Sequence, residues 1–159
     1  MATSASGKAL VIKAEGRRNE MYHDQLGKPT IGIGHLLTEQ ELLSGVLTAL
    51  GVDWRLGLTD EQVDLLFQSD IRPVEDTIND NVSPQLSQNQ FDALVSFVFN
   101  IGRTAFITSA TLTVINRGEL DQAPSHMEMW VHGNVGGVEK VIPDLVERRA
   151  KEVALWKTA

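Results

Sequence analysis

Apolar positions recur at helical spacing near the start of the chain, where Leu10, Val11 and Ala14 fall on one stripe. The spacing predicts a helix over 4–15, with Ser4 or Ser6 at its N-cap and Gly16 at its end, because glycine takes the left-handed backbone conformation without a side-chain clash. The pattern then changes. Met21-Tyr22-His23 reads as a strand, residues 24–29 as a turn, and Thr30-Ile31-Gly32-Ile33-Gly34-His35 as one return strand. Its two glycines mark places where another backbone or a ligand approaches closely. Thr38-x-x-Glu41 is a capping box and opens a helix over about 39–50, closed by Gly51. Residues 52–57 form a connector holding Trp54. Thr59-Asp60-Glu61-Gln62 opens a longer helix running to about Ile78. Pro73 lies inside it. A proline there lacks the amide for the Ser69 carbonyl and clashes with it, which predicts a kink or break at 69–73.

Residues 79–84 read as a loop, and Ser87-x-x-Gln90 caps the most apolar helix, which ends at Asn100-Ile101-Gly102. That helix is apolar nearly all round, so it is expected to be buried, with Phe91, Phe97 and Phe99 as core residues. Further helices are expected over 109–117, stopped by Gly118, over 120–130, where Pro124 falls in the first turn, and from Pro143 to about Trp156. Residues 132–137 read as a glycine-rich loop without the strand and helix context of a phosphate loop. Arg148, Arg149 and Glu152 lie on the last helix and read, on sequence grounds alone, as a solvated charged face. The length, 159 residues, suits one domain or two small lobes sharing a helix.

Composition narrows the function classes. The net charge of −7 speaks against nucleic acid as a partner, since a basic footprint is expected there. No run of about 18 apolar residues occurs, so no stable membrane insertion is expected. Met1 to Lys8 lacks a basic segment followed by an apolar stretch, so no secretory signal is expected either. Cysteine is absent, which removes disulfides and thiolate chemistry. The histidines are His23, His35, His126 and His132, and they form no His-x3-His or His-Glu-x-x-His pattern. Neither a metal nor another cofactor is implied.

Three side chains with chemistry follow one another in residues 12–38: Glu15, Asp24 and Thr30. Glu15 sits at a helix C-terminus, where the helix dipole disfavours negative charge and helps keep a carboxyl protonated. Asp24 sits in a polar turn. Two carboxyls of unlike environment are what a glycosidase needs, one to protonate the leaving oxygen and one to stay ionised. Spacing alone carries little weight, because the 21 acidic residues make many chance pairs and turn acids are usually just solvated.

The surrounding residues add weight. Glu15-Gly16, Tyr22-x-Asp24 and Thr30-Ile31-Gly32-Ile33-Gly34-His35 closely resemble the signature of the phage-type lysozymes, the muramidase endolysins of tailed bacteriophages. Phe99-Asn100-Ile101-Gly102 followed by Ala105-Phe106 extends the likeness, which spans roughly residues 8–156. The resemblance implies an α+β, lysozyme-like fold. A small N-terminal lobe (about 12–60) carries a short antiparallel sheet, an interlobe helix (about 60–78) follows, and a larger helical C-terminal lobe (about 79–159) includes the N-terminal helix. It also implies closure of the two lobes about the interlobe helix, a hinge that Pro73, not a family feature, is expected to soften. The activity implied is hydrolysis of the β-1,4 bond between N-acetylmuramic acid and N-acetylglucosamine in peptidoglycan. Glu15 would be the general acid. Asp24 would position or activate water, or stabilise charge at the anomeric carbon, and Thr30 would hold the attacking water.

Leu36, Phe99 and Ser109 are implied as substrate-binding residues. Arg149, with Arg148 as the alternative, is implied to pair with Glu15. The bland reading of His35 is a structural bond or ion pair, and the phage-lysozyme layout suggests Asp70 as its partner; a sugar contact is the other reading. A monomer held in the host cytoplasm until a holin pore releases it to the wall completes the expectation. Three positions depart from the family: Pro73 within the long helix, Pro124 near a position where a polar sugar contact is common, and Asp144 where glycine is usual. Two other readings stand beside this one. A lytic transglycosylase cuts the same bond without water, but Asp24 and Thr30 speak against it because that chemistry can run on one acid. A non-catalytic peptidoglycan-binding protein on the same scaffold is permitted by the acidic charge and Pro124, but argued against by the retention of Glu15, Asp24 and Thr30.

Overall fold

A computed structural model describes residues 1–158. In chain order the elements are α1 (Ala5–Glu15), β1 (Arg18–His23), β2 (Pro29–Gly32), β3 (His35–Leu36), α2 (Glu39–Ser44), a 3-10 turn (Trp54–Leu56), α3 (Asp60–Asn81), α4 (Gln88–Ile101), α5 (Arg103–Ile107), α6 (Ala110–Asn116), α7 (Ala123–Met127), β4 (His132–Val135), β5 (Val138–Val141) and α8 (Pro143–Lys157). The chain divides into two compact units: Met1–Val11 with Pro73–Ala159, and Ile12–Arg72. The class is α+β, as the resemblance implied.

The unit of residues 12–72 is built on a three-stranded antiparallel sheet in the order β1-β2-β3. The expected single return strand is two strands. The chain reverses at Ile33-Gly34, where Gly34 takes φ +66°, so that β3 pairs back on β2 with Thr30 opposite Leu36 and Ile31 opposite His35. Ile31 and Ile33 are fully buried, with Val63, Leu66 and Phe67 of α3 in the same core. Helix α2 is shorter than expected. Thr38 and Glu41 do form the capping box, but Gly45 at φ +74° ends the helix, and Val46 then bridges to Asp53. The apolar residues beyond Ser44 thus belong to a folded loop, with Leu47 and Trp54 buried in it.

In the other unit, α4 is the buried centre. Every residue from Phe91 to Val98 is inaccessible, and Ser87 and Gln90 cap the helix reciprocally. Helix α4 packs against α8. The face read as solvated is in fact buried here: Arg148 and Arg149 are 8% and 1% exposed, and Glu152 is 0%. Charges are tolerated there because each is paired. Arg148 donates to the Ser96 carbonyl (2.9 Å) and to Glu152 (3.2 Å). Arg149 bonds Glu152, Asn100 and the Trp130 carbonyl (2.9 Å), and Ser96 donates to Glu152 (2.7 Å).

The start of the chain is fixed to α3 and α4 by side chains. Thr3 donates from its amide to Glu75 (2.7 Å), and Ser4 donates from its amide to Asp92 (3.0 Å). Of the two N-cap candidates it is Ser4 whose hydroxyl accepts the Gly7 amide, at 3.1 Å.

Three further readings change. Helix α3 runs unbroken from Asp60 to Asn81 with Pro73 inside, so no break occurs at 69–73; the boundary between the two units falls at Arg72 and Pro73. The helix expected over 120–130 contracts to α7, with Pro124 in its first turn. Residues 132–141 are a β-hairpin rather than a loop: Gly136 and Gly137, at φ +60° and +82°, supply the two left-handed positions of a tight turn between Val135 and Val138. No helix among the described residues is long and apolar enough to cross a membrane, and no group of acidic and histidine side chains there could hold a metal ion.

Candidate active site

Helix α1 ends at Glu15, and Gly16 follows at φ +77° with its amide donating to the Ile12 carbonyl at 2.8 Å. The acid is therefore the last helical residue, at the negative end of the helix dipole. Its carboxyl lies against Gly34. A Cβ built on Gly34 would meet Glu15 Oε2 at 2.6 Å and its Cδ at 2.8 Å. Gly34 is thus required twice, for a left-handed backbone and for the room that the carboxyl fills. The sequence pattern marked a close approach at this glycine; what approaches is the side chain of Glu15.

Asp24 opens the turn between β1 and β2. Its Oδ1 accepts the amides of Leu26 and Lys28, both at 2.9 Å, and its own amide donates to the Lys28 carbonyl at 2.9 Å. These bonds fix the carboxylate orientation and leave Oδ2 unbonded among the described residues. Thr30 is 2% exposed, and its Oγ1 donates to the Lys28 carbonyl at 2.9 Å. With its proton committed, the hydroxyl offers lone pairs to an incoming donor. Tyr22 and Thr30 are paired across β1 and β2, and Thr30 and Leu36 across β2 and β3. Directly paired residues share a face of a sheet, so Tyr22, Thr30 and Leu36 form one cross-strand row. Leu36 is 49% exposed at its end.

Tyr22 is half-buried, and Arg18 Cζ stands 5.0 Å over its ring centroid. The phenol is pushed above its ordinary pKa by burial and then by the negative charge of Glu15, with Arg18 acting the other way. In the sequence Tyr22 stands out only as a motif residue, and no sequence signal pairs a ring with a guanidinium four residues away across a strand irregularity.

His35 bonds Asp70 through Nδ1 at 2.8 Å, the partner the phage-lysozyme layout suggested, and bonds Glu41 through Nε2 at 3.0 Å. Glu41 was legible only as a cap. Its Oε1 also accepts the Thr38 amide, and its Oε2 the Thr48 amide, each at 3.0 Å. Burial opposes the charge on His35, but Asp70 and Glu41 outweigh it and raise the imidazole from 6.5 to about 9. For Glu41, burial works against ionisation, yet the Thr38 amide, the His35 ring and the Thr48 amide together hold its carboxyl below the ordinary range.

In the other unit, Phe99 is half-buried in the last turn of α4. Ser109 is the N-cap of α6, its hydroxyl accepting the Leu112 amide (3.1 Å) and donating to the Phe106 carbonyl (2.7 Å). Arg149 lies in the buried α8 network, with its guanidinium 5.0 Å from the Phe97 ring centroid.

A helix end seated against a small three-stranded antiparallel sheet, in a chain with a second and mostly helical unit, is an architecture of the lysozyme type. The Phage lysozyme family model matches residues 12–152. The chain is 34% identical over 159 residues to the endolysin of Acyrthosiphon pisum secondary endosymbiont phage 1, covering all of both chains. It is 34% identical over 157 residues to the endolysin of Salmonella phage P22, covering 98% of each. The solved muramidase domain of SpmX from Asticaccaulis excentricus superimposes with a TM-score of 0.82 at 33% identity, covering 99% of each chain. The chain belongs to the phage lysozyme family and is a peptidoglycan-hydrolysing endolysin.

Proposed function

We propose that the chain hydrolyses the β-1,4 bond between N-acetylmuramic acid and N-acetylglucosamine, with Glu15 as general acid, Asp24 as the water-directing carboxylate and Thr30 as the second holder of that water. Glu15 donates its proton to the glycosidic oxygen as the bond from C1 to that oxygen breaks. Positive charge develops at C1 and the ring oxygen, opposite the carboxylate of Asp24. Water adds at C1, and its proton passes to Asp24 and from there to solvent. Thr30 suits the water-holding role because its own proton is committed to the Lys28 carbonyl, so it accepts rather than competes. The observation that carries the reading is the socket at Gly34, which seats the Glu15 carboxyl against the sheet bearing Thr30. Direct attack by water inverts the anomer and requires the two carboxyls to stand about 6.5–9.5 Å apart.

Leu36 and Phe99 offer apolar surface for sugar rings, while Ser109 contributes through the α6 cap. Arg149 and His35 with Asp70 support the site rather than react. The chain works as a monomer and reaches the wall from the host cytoplasm through a pore made by a holin; sedimentation, and lysis with and without co-expressed holin, test these two statements.

The decisive experiment compares clearing of outer-membrane-permeabilised Gram-negative cells by the natural protein and by Glu15→Gln. Loss of a general acid is expected to slow clearing about a thousandfold. Equal clearing by both would remove Glu15 from the mechanism. No clearing by either folded protein would favour a wall-binding role. Mass spectrometry of the products separates hydrolysis from the anhydro-sugar that a lytic transglycosylase makes.

A further inference from the structure

Arg17 and Arg18 are neighbours in sequence and differ in what they do. Arg17 is tied down: it donates to Asp64 at 2.6 Å and to the Asp60 carbonyl at 2.8 Å. The side chain of Arg18 makes no hydrogen bond or ion pair among the described residues. Its contact there is the face of Tyr22, 5.0 Å from guanidinium carbon to ring centroid. A guanidinium on an aromatic face is held by the ring quadrupole and keeps the N–H groups along its edge available. This one is exposed and lies beside the row that contains Thr30. It is also a cation in a neighbourhood supplied with Glu15 and Asp24, on a protein of net charge −7. An anionic substrate meets repulsion from the Asp24 carboxylate and from the net negative charge of the protein, and Arg18 is placed to offset it.

We infer that Arg18, held on the Tyr22 ring, is an anion subsite that binds a carboxylate of the glycan substrate next to the reacting bond. The inference rests on the glycosidase reading above. N-acetylmuramic acid carries a lactyl ether whose carboxyl is either free or joined to a peptide that bears carboxylates of its own. The planar fork of arginine matches a carboxylate through two parallel hydrogen bonds. Tyr22 reduces the motion that the guanidinium would otherwise lose on binding, because the ring already confines it.

The test measures kcat/KM on strands with native carboxylates and on the same strands after carbodiimide amidation, for the natural protein, Arg18→Gln and Arg18→Lys. Two strand preparations identify the source. Peptide-free strands carry only lactyl carboxylates, and intact strands carry only those of the peptide. In the natural protein amidation is expected to lower kcat/KM about tenfold on one preparation, the effect of losing one charge-assisted contact. Arg18→Gln should abolish that preference, and Arg18→Lys should keep part of it because charge remains without the fork. The same preference in Arg18→Gln as in the natural protein would overturn the subsite, whatever the absolute rates, and so would a natural protein indifferent to amidation on both preparations. If the natural protein hydrolyses neither preparation, the glycosidase reading has failed as well. The Arg18 side chain is exposed and makes no structural bond, so a thermal melt matching the natural protein is expected for both variants.

Discussion

Placing one histidine between two carboxylates makes stability depend on pH in a calculable way. Nδ1 of His35 faces Asp70 and Nε2 faces Glu41, and a carboxylate only accepts hydrogen bonds. Both ring nitrogens must therefore carry protons, which defines the imidazolium. The folded pKa is raised from 6.5 to about 9, so the folded state binds the proton more tightly than the unfolded one. The resulting stability is fully present below about pH 6.5 and is lost as pH rises through about 9. The rise to about 9 corresponds to about 3 kcal/mol at its maximum, about 2 kcal/mol at pH 7.5, and almost nothing at pH 10.

Urea unfolding of the natural protein and of His35→Asn between pH 5.5 and pH 10 measures it. The substitution also deprives Asp70 and Glu41 of a partner, which adds an offset, so the readout is how the difference changes with pH. That difference should shrink by about 3 kcal/mol from the low to the high end. A difference that is flat or grows with pH would refute the argument. So would an NMR titration placing the His35 midpoint below 7, which would mean a neutral ring sharing a proton with one carboxyl.

The Gly34 socket predicts that Gly34→Ala lowers activity about a hundredfold through displacement of Glu15. It should cost only about 1–2 kcal/mol of stability for the left-handed backbone. Gly51→Ala is the control, because Gly51 has the same kind of backbone, φ +67°, with nothing within 4 Å of the added carbon; equal activity losses in the two would sink the socket. Pro73 sits inside continuous α3 without an amide to donate. Pro73→Ala should therefore stabilise the fold by about 1–3 kcal/mol in thermal or urea unfolding, with turnover altered but not abolished. Unchanged turnover would remove Pro73 from the mechanism.

Much of this protein was legible in one dimension because the signals are local. The capping boxes at Thr38 and Ser87 act over three residues, and the structure has both. The apolar run from Phe91 to Phe99 required a buried helix in any fold. The motif residues Glu15, Asp24 and Thr30 lie within sixteen positions, so short connections place Glu15 at the end of α1, Asp24 in the turn after β1 and Thr30 on β2. What the sequence left open depends on partners far along the chain. Arg148, Arg149 and Glu152 look like a solvated face until α4 supplies Ser96 and Asn100, some fifty residues away, to satisfy them. Glu41 looks like a cap until β3 brings His35 to it. Gly34 reads as a strand glycine that something approaches closely, and only the fold shows that the carboxyl at the end of α1 is what fills the space. A charged group's role is decided by whatever replaces water around it, and only the tertiary structure determines what that is.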